Sequence, residues 1–497
     1  MTNKMESIAV IDKPIPYLEF FQEYLMKNRP CIMKSFVTEQ WKSRVSWILE
    51  NTQPNLEHFA EHFGNVMGPA ANCNKQEYNS NPKEGMTIKQ YIEYLRRYRD
   101  EGYPKSMECL YLKDWHFVSE FPQYKAYETP VYFQSDWLNE FWDMRPDGGD
   151  DYRFVYMGPK GSWTPFHADV FRSYSWSANV CGRKKWLIFP PGDEQYLTDK
   201  FRQLAYDVSS IKQLDSKKYP DLHKLIGPIE VIQEAGEVIF VPSGWHHQVH
   251  NMEDTISINH NWLNGCNIML GWRYIKTCLV GVQREISDCW DMDGWNKHCQ
   301  LILKATTGID FIEFYKFINI VANRRMTFLN DMENGETKCL YSQQDKQSVP
   351  STNHKHMCNN SNATTTGTCN TDSYGPGTIT TEEIQSTMKS EMEKLEIKET
   401  NIKYDEASQN KDIERPTIEL YLNNIHWTPC SYCGKDFNPE SPCHLIHDLL
   451  KVEEILADMI EHEEFTQLDL DVLDPHPNEF TKHLRFFLSS KVHACDT

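Results

Sequence analysis

At 497 residues, with 40% hydrophobic and 12% aromatic residues, the chain has the length and apolar content to bury a large core in more than one unit. Its formal charge of −20 argues against a main role in gripping nucleic-acid backbone, and it has no apolar run of the roughly 18 uncharged residues a membrane span needs. The 15 cysteines, odd in number and scattered, do not read as a disulfide framework, and the apolar run 8–11 is too short for a signal-peptide core; a cytoplasmic or nuclear protein is expected.

Residues 17–25 have helical spacing that stops near Asn28-Arg29-Pro30, and 31–36 read as a strand. A second helix is expected over 55–63. Thr87 and Gln90 have the form of a capping box, and Ile88, Tyr91, Ile92 and Leu95 follow as one buried stripe. With a strand at 108–112, residues 1–110 read as a mixed α/β support.

From Tyr152 the pattern changes to short strands and turns: 153–157, 173–180, 185–189, 230–233, 238–241, 245–250 and 255–261. Cys181-Gly182-Arg183-Lys184 reads as a hairpin turn, and the polar stretch 194–227 as an insertion over the strands. So many short strands suggest a β-sandwich or jelly-roll barrel over 111–264. Helical spacing returns over 265–334, from Ile268 to Val280 and from Phe311 to Ile318. Residues 335–415 are rich in Asn, Thr, Ser and Gly, then charged and poor in aromatics. Disorder is expected there, with a transient helix at 384–395. The last unit, 416–497, carries an acidic amphipathic helix at 444–465; residues 401–497 hold 19 acidic against 8 basic residues, more than half of the net charge.

The stretch 164–261 concentrates the chemistry. His167 and Asp169 are two apart on extended chain, so both side chains point the same way. Two histidines and a carboxylate on one face, with other positions open, suit non-haem iron. An isolated His-x-Asp is more often a hydrogen-bonded turn. A third ligand must come from a neighbouring strand, and His246, His247 and His250 compete for the place. Alternation sets His246 and His250 on one face and His247 on the other, without saying which looks inward.

His167-Ala-Asp169, Gly182-Arg-Lys184-Lys-Trp-Leu-Ile-Phe-Pro190 and Val241-Pro-Ser-Gly-Trp-His-His-Gln-Val-His-Asn251 resemble the JmjC family of Fe(II)/2-oxoglutarate oxygenases, nearer its hydroxylase branch. The resemblance covers roughly residues 15–330. It implies a mainly β fold with helical additions, a double-stranded β-helix of the cupin-like kind with N-terminal and C-terminal helices. It implies His247 as the third iron ligand beside His167 and Asp169. Lys184 takes the family's lysine position for the distal carboxylate of 2-oxoglutarate and Thr164 its hydroxyl position, with Lys185 the competing lysine. Tyr111 resembles a tyrosine that reaches the same carboxylate, and Asn259 and Asn261 match polar positions lining the pocket. Many relatives carry an asparagine about seven residues before the lysine. Ser177 stands there here, and Asn179, of the same parity in the strand, is its substitute. The strings 163–169 and 171–186 are most similar to family members that hydroxylate a lysine of the translation termination release factor. That implies O₂ and a protein substrate, and neither membrane nor nucleic acid as partner. The alternatives are an Nε-methyl-lysine demethylase of the same family and a non-catalytic acidic interaction protein.

A second candidate metal site lies near the C-terminus. Cys430-Ser-Tyr-Cys433 is followed by Cys443, His444 and His447, a set that could hold structural zinc, with free thiols in a loop as the plainer reading.

Overall fold

In the strand Tyr174–Cys181, Tyr174, Trp176, Ala178 and Val180 are buried among aromatic and aliphatic side chains, and the intervening Ser175, Ser177 and Asn179 point to the opposite face. A strand of this pattern has one apolar face to cover with helices and one polar face to turn toward something else. The strand Thr255–Trp262 beside it repeats the pattern, with Ile256, Ile258 and Trp262 on the apolar side and Ser257, Asn259 and Asn261 on the other. The computed structural model describes residues 7–50, 52–145, 151–201, 203–336, 339–341 and 437–495.

The strands form two sheets. The larger runs Ala9–Ile11, Cys31–Met33, Val238–Val241, Tyr174–Cys181, Thr255–Trp262, Arg153–Gly158, Leu110–Trp115, Met67–Asn72, Lys83–Thr87. The smaller runs Ile229–Gln233, Lys184–Phe189, His246–Asn251, Trp163–His167. The chain from Arg153 to Trp262 passes back and forth between them, and no ladder joins the two sheets among the described residues. This is the two-sheet jelly roll expected from the sequence.

Its interior has two halves. On one side Trp186, Ile188, Ile229, Val231, Ile239, Val241 and Val249 fill the space between the sheets with apolar atoms. On the other the inward positions are Thr164, His167, Ser175, Ser177, Lys184, His247, Asn251 and Asn259, a lining that makes a pocket rather than a core. Tyr152, Phe154 and Tyr156, inward on Arg153–Gly158 or its approach, are half-buried, while Val155 and Met157 on the helix-covered face are 1% and 0% exposed.

The N-terminal residues cover the outer face of the large sheet, where Phe20, Phe21, Trp47, Phe59, Tyr91 and Ile92 meet its apolar side chains. The helix Ile88–Asp100 carries the expected capping box between Thr87 and Gln90. A second core joins the helices Trp137–Asp143, Ile268–Glu285, Trp295–Thr307, Phe311–Glu333, Pro442–Glu461 and Pro477–Cys495. The insertion 194–227 folds as short 3₁₀ turns whose Leu197, Leu204, Ala205 and Val208 pack on Phe166, Leu187 and Phe189, outside the small sheet.

Two expectations need correction. The turn 181–184 is not a hairpin: Tyr174–Cys181 and Lys184–Phe189 lie in different sheets, and Gly182 takes the corner at φ +74°, where a Cβ would collide with the carbonyl of Asp254. Two short strands joined by a glycine turn look alike in sequence whether they pair or fold over a corner. The strand expected over 31–36 ends at Met33, and a 3₁₀ turn covers Ser35–Val37. The expected insertion beyond Tyr341, including the helix at 384–395, and Cys430 and Cys433 lie outside the described residues.

Candidate active site

His167 ends its strand and stands opposite His247 in the antiparallel ladder. Their rings lie 4.5 Å apart between centroids. Two residues after His167 the chain enters a tight turn in which Phe171 and Arg172 both have positive φ, 54° and 52°. Non-glycine residues hold that conformation only when their surroundings impose it, at a cost of about 1–3 kcal/mol each. The turn leaves Asp169 extended beside the two histidines. One ligand atom from each of His167, Asp169 and His247 lies within 4.8 Å of the others, the one such group among the described residues.

Each of the three is oriented by its own hydrogen bond. His167 Nδ1 donates to the carbonyl of Pro165 at 2.7 Å, and His247 Nδ1 to that of Trp245 at 3.1 Å. A carbonyl accepts only, so both rings carry the proton on Nδ1 and present the Nε2 lone pair to the shared space. Ser175 Oγ donates to Asp169 Oδ2 at 2.7 Å, leaving Oδ1 as the better-placed ligand oxygen. The donor set, two imidazoles and one carboxylate, suits Fe(II).

Deeper in, Lys184 is 2% exposed. Its Nζ donates to Tyr111 Oη at 3.2 Å and to Asn251 Oδ1 at 3.0 Å. Burial pushes its pKa down to about 7, and no carboxylate pairs with it among the described residues. Such an ammonium calls for an anion. Thr164 Oγ1 and Ser177 Oγ are buried hydroxyls without hydrogen-bond partners among the described residues. Gly158 leaves the room: a Cβ there would stand 2.5 Å from Asn251 Nδ2 and 2.7 Å from the Tyr111 ring. The cation, the orphaned hydroxyl and the space between them and the His-Asp-His group fit a short dicarboxylate that reaches a metal at its other end.

A cupin-like domain model matches residues 17–267, half of the chain and every described strand from Cys31–Met33 to Thr255–Trp262. The chain belongs to the JmjC family of cupin-like proteins. It is 53% identical over 333 residues to the zebrafish (Danio rerio) 2-oxoglutarate and iron-dependent oxygenase JMJD4, covering 67% of this chain and 78% of that one. The human (Homo sapiens) protein of the same name is 50% identical over 327 residues, 65% of this chain and 78% of its own. An Arabidopsis thaliana relative, the arginine-specific demethylase JMJ20, is 42% identical over 332 residues, 64% of this chain and 70% of its own.

Within this JmjC fold the competing histidines separate as alternation requires. His246 faces out of the small sheet, near Arg172 Nη1 at 3.2 Å, and burial followed by that guanidinium holds its pKa well below the usual value. His250 faces out as well, stacked on Trp163. Lys185 pairs with Glu230 at the surface. Asn179 is buried, but its amide donates to the Gly182 carbonyl at 2.7 Å and closes the corner before Lys184, with Oδ1 unpartnered. Asn259 and Asn261 sit half-buried on the pocket wall, bonded to Ser257 and Ser173.

Sequence reasoning assigned no part to Asn251 or Ser175. The sequence signal for Asn251 is its place at the end of the His247 strand, four residues on and of the same parity. Ser175 had the parity of Ser177 and no other signal. Cys443 and His447, from the second candidate metal site, lie on Pro442–Glu461 and join no metal-sized group among the described residues.

Proposed function

We propose that this JmjC protein is an Fe(II)- and 2-oxoglutarate-dependent oxygenase that hydroxylates a lysine side-chain carbon of the translation termination release factor. The observation that carries the oxygenase reading is the convergence of three oriented ligand atoms within 4.8 Å in the pocket of a buried lysine that has no counter-charge among the described residues. His167, Asp169 and His247 hold the iron. Lys184, Thr164 and Tyr111 take the distal carboxylate of 2-oxoglutarate, with Asn251 fixing the ammonium, while Asn179, Asn259 and Asn261 line the walls. Iron bound there supplies the redox chemistry by which O₂ decarboxylates 2-oxoglutarate to succinate and CO₂ and hydroxylates a C–H bond.

The residues of the chain do the rest. The paired Nδ1–H donors turn both imidazoles so that Nε2 faces the shared space. Lys184 and Thr164 fix the far end of the co-substrate and so set where its keto-acid end lies. The closed apolar half of the jelly roll keeps bulk water from reaching the pocket from behind. The lysine target is supported by the likeness of residues 163–169 and 171–186 to the release-factor hydroxylases of the family. We place the reaction in the cytoplasm, where translation ends.

Anaerobic addition of iron and 2-oxoglutarate is expected to give a weak visible charge-transfer band, absent in His247→Ala. With O₂ and purified release factor, intact mass should rise by about 16 units, one oxygen atom, with matching succinate. The relative named an arginine-specific demethylase supports a second reading, in which methylated arginine loses about 14 units, one CH₂. No band and no succinate would sink the oxygenase reading. Succinate without modification of the release factor would sink the substrate alone.

A further inference from the structure

The strand that carries Tyr111 and the strand Met67–Asn72 pair antiparallel, with Asn72 opposite Leu110. One step further along that register Cys73 faces Cys109, and the Cys73 amide donates to the Cys109 carbonyl at 2.9 Å. Directly opposed residues of an antiparallel pair have Cα atoms about 4.5–5.5 Å apart, within the roughly 4.4–6.8 Å that a disulfide spans. The two side chains lie in one buried cluster with Tyr98 and Tyr111. Both are buried, at 7% and 6% exposure, yet the residues after Cys73 and before Cys109 are exposed, so the pair lies one layer beneath the surface.

The pair is also wired to the pocket. Cys109 immediately precedes the strand Leu110–Trp115, two residues before Tyr111 and in the same cluster with it, so the thiol sits one row from the hydroxyl that meets Lys184. Cys73 is clasped to Trp163: its Sγ donates to the Trp163 carbonyl at 3.5 Å, and Trp163 Nε1 donates to the Cys73 carbonyl at 3.2 Å. Trp163 is the residue before Thr164.

We propose that Cys73 and Cys109 form a dithiol that hydrogen peroxide converts to a disulfide, and that this modification weakens binding in the adjoining 2-oxoglutarate pocket. The thiolate of Cys73 attacks peroxide, giving a sulfenic acid and water after protonation; the Cys109 thiol then displaces the sulfenic oxygen, forming the S–S bond and a second water. In sum, two thiols and one H₂O₂ give one disulfide and two H₂O. Its neighbour Cys109 lowers the pKa of Cys73, against the effect of burial, while that of Cys109 is raised, which favours Cys73 as the attacking thiol. Closing the bond takes Sγ of Cys73 away from the Trp163 carbonyl and draws the Tyr111 strand toward it, displacing two of the hydroxyls that meet the co-substrate. The effect on 2-oxoglutarate rests on the oxygenase reading; formation of the bond does not.

The test uses the full-length chain, treated with hydrogen peroxide before iron is added, alkylated, digested and mapped. A Cys73–Cys109 cross-linked peptide is expected, reversed by dithiothreitol, while the exposed Cys289 serves as the control for general oxidation. Cys109→Ser should stop at a Cys73 sulfenic acid trapped by dimedone, and Cys73→Ser should give neither product. After peroxide is removed and iron supplied, the Michaelis constant for 2-oxoglutarate should rise at least about threefold and recover on reduction, the size expected for one or two lost hydrogen bonds. Both thiols remaining alkylatable in the wild-type chain while Cys289 is oxidised would overturn the modification. Quantitative cross-linking with an unchanged Michaelis constant would overturn its link to the pocket. Absence of turnover in the reduced wild-type chain would instead fall on the oxygenase reading, and the effect on the pocket would then be judged by calorimetric binding of 2-oxoglutarate.

Discussion

Asn251 stands directly across the ladder from Lys184 and holds its ammonium at 3.0 Å. The same asparagine donates from its amide to Ser162 Oγ at 2.7 Å, which fixes which of its ends faces the lysine. Replacing Lys184 with methionine keeps the stem and removes the charge. It should weaken 2-oxoglutarate binding by about tenfold to a hundredfold, the worth of a hydrogen bond to a charged group. Asn251→Ala should cost less, about three- to tenfold, because the charge survives but wanders. Calorimetric titration with 2-oxoglutarate reads both; equal affinities across the set would remove these residues from the pocket.

The pH dependence follows from the same lysine. Burial lowers its pKa to about 7, and the dicarboxylate binds the ammonium form. Binding therefore takes up a proton above that pH. Affinity should be highest below about pH 7 and fall as pH rises through it, by up to about tenfold per unit. In the free protein the depressed pKa works on stability: its contribution is present above the unfolded value near 10.4 and is lost as pH falls toward about 7. Lys184→Met should flatten the affinity profile. An affinity that rises between pH 7 and 8.5 would contradict the assignment.

Metal binding can be examined apart from turnover. His247→Ala should abolish stoichiometric binding of cobalt(II) or iron(II). Ser175→Ala leaves the three ligands in place and frees Asp169 Oδ2, so metal affinity should drop by about tenfold to a hundredfold, with Ser175→Thr restoring most of it. If Ser175→Ala binds metal as tightly as the wild type, the hydrogen bond orients nothing that matters.

How far the pocket could be read from sequence turns on strand parity. Alternation correctly set His247 apart from His246 and His250, because Lys184–Phe189 and His246–Asn251 pair without interruption. It fails between Thr164 and His167, which are three apart and yet both face inward. Opposite them only two steps separate Val249 from His247, so the strand Trp163–His167 bulges by one residue around Pro165 and Phe166. A proline, which lacks a ladder donor, marks such a place but does not announce it. Only the family resemblance placed Thr164 in the pocket. Ala9–Ile11, Met67–Asn72 and Trp163–His167 were not legible as strands. The first is short, the second holds Gly and Pro, and the third contains the bulge. The helices Ile268–Glu285 and Phe311–Glu333 were legible because long apolar periodicity needs no partner to be recognised.

The C-terminal helix Pro442–Glu461 is joined to the rest by a buried charge network. Arg325, 0% exposed, holds Glu140 Oε2 at 2.6 Å and Asp448 Oδ2 at 3.3 Å, and Trp137 Nε1 donates to the same Asp448 oxygen at 3.1 Å. Three separate stretches of chain meet there. Burial raises the pKa of Asp448, but His444, His447 and Arg325 together bring it below the ordinary value. Its stabilisation is therefore present above the unfolded pKa near 3.9 and lost only as pH falls through the lower folded value. Asp448→Ala strands part of the charge of the buried Arg325, and should cost about 3–5 kcal/mol. Glu454→Ala, which removes a surface pair with Lys451, should cost less than about 1 kcal/mol. Denaturant unfolding followed by fluorescence compares the two. Similar midpoints would mean that the helix is held by its apolar face alone, through Leu445, Leu449, Val452 and Leu456, and that the network contributes register rather than stability.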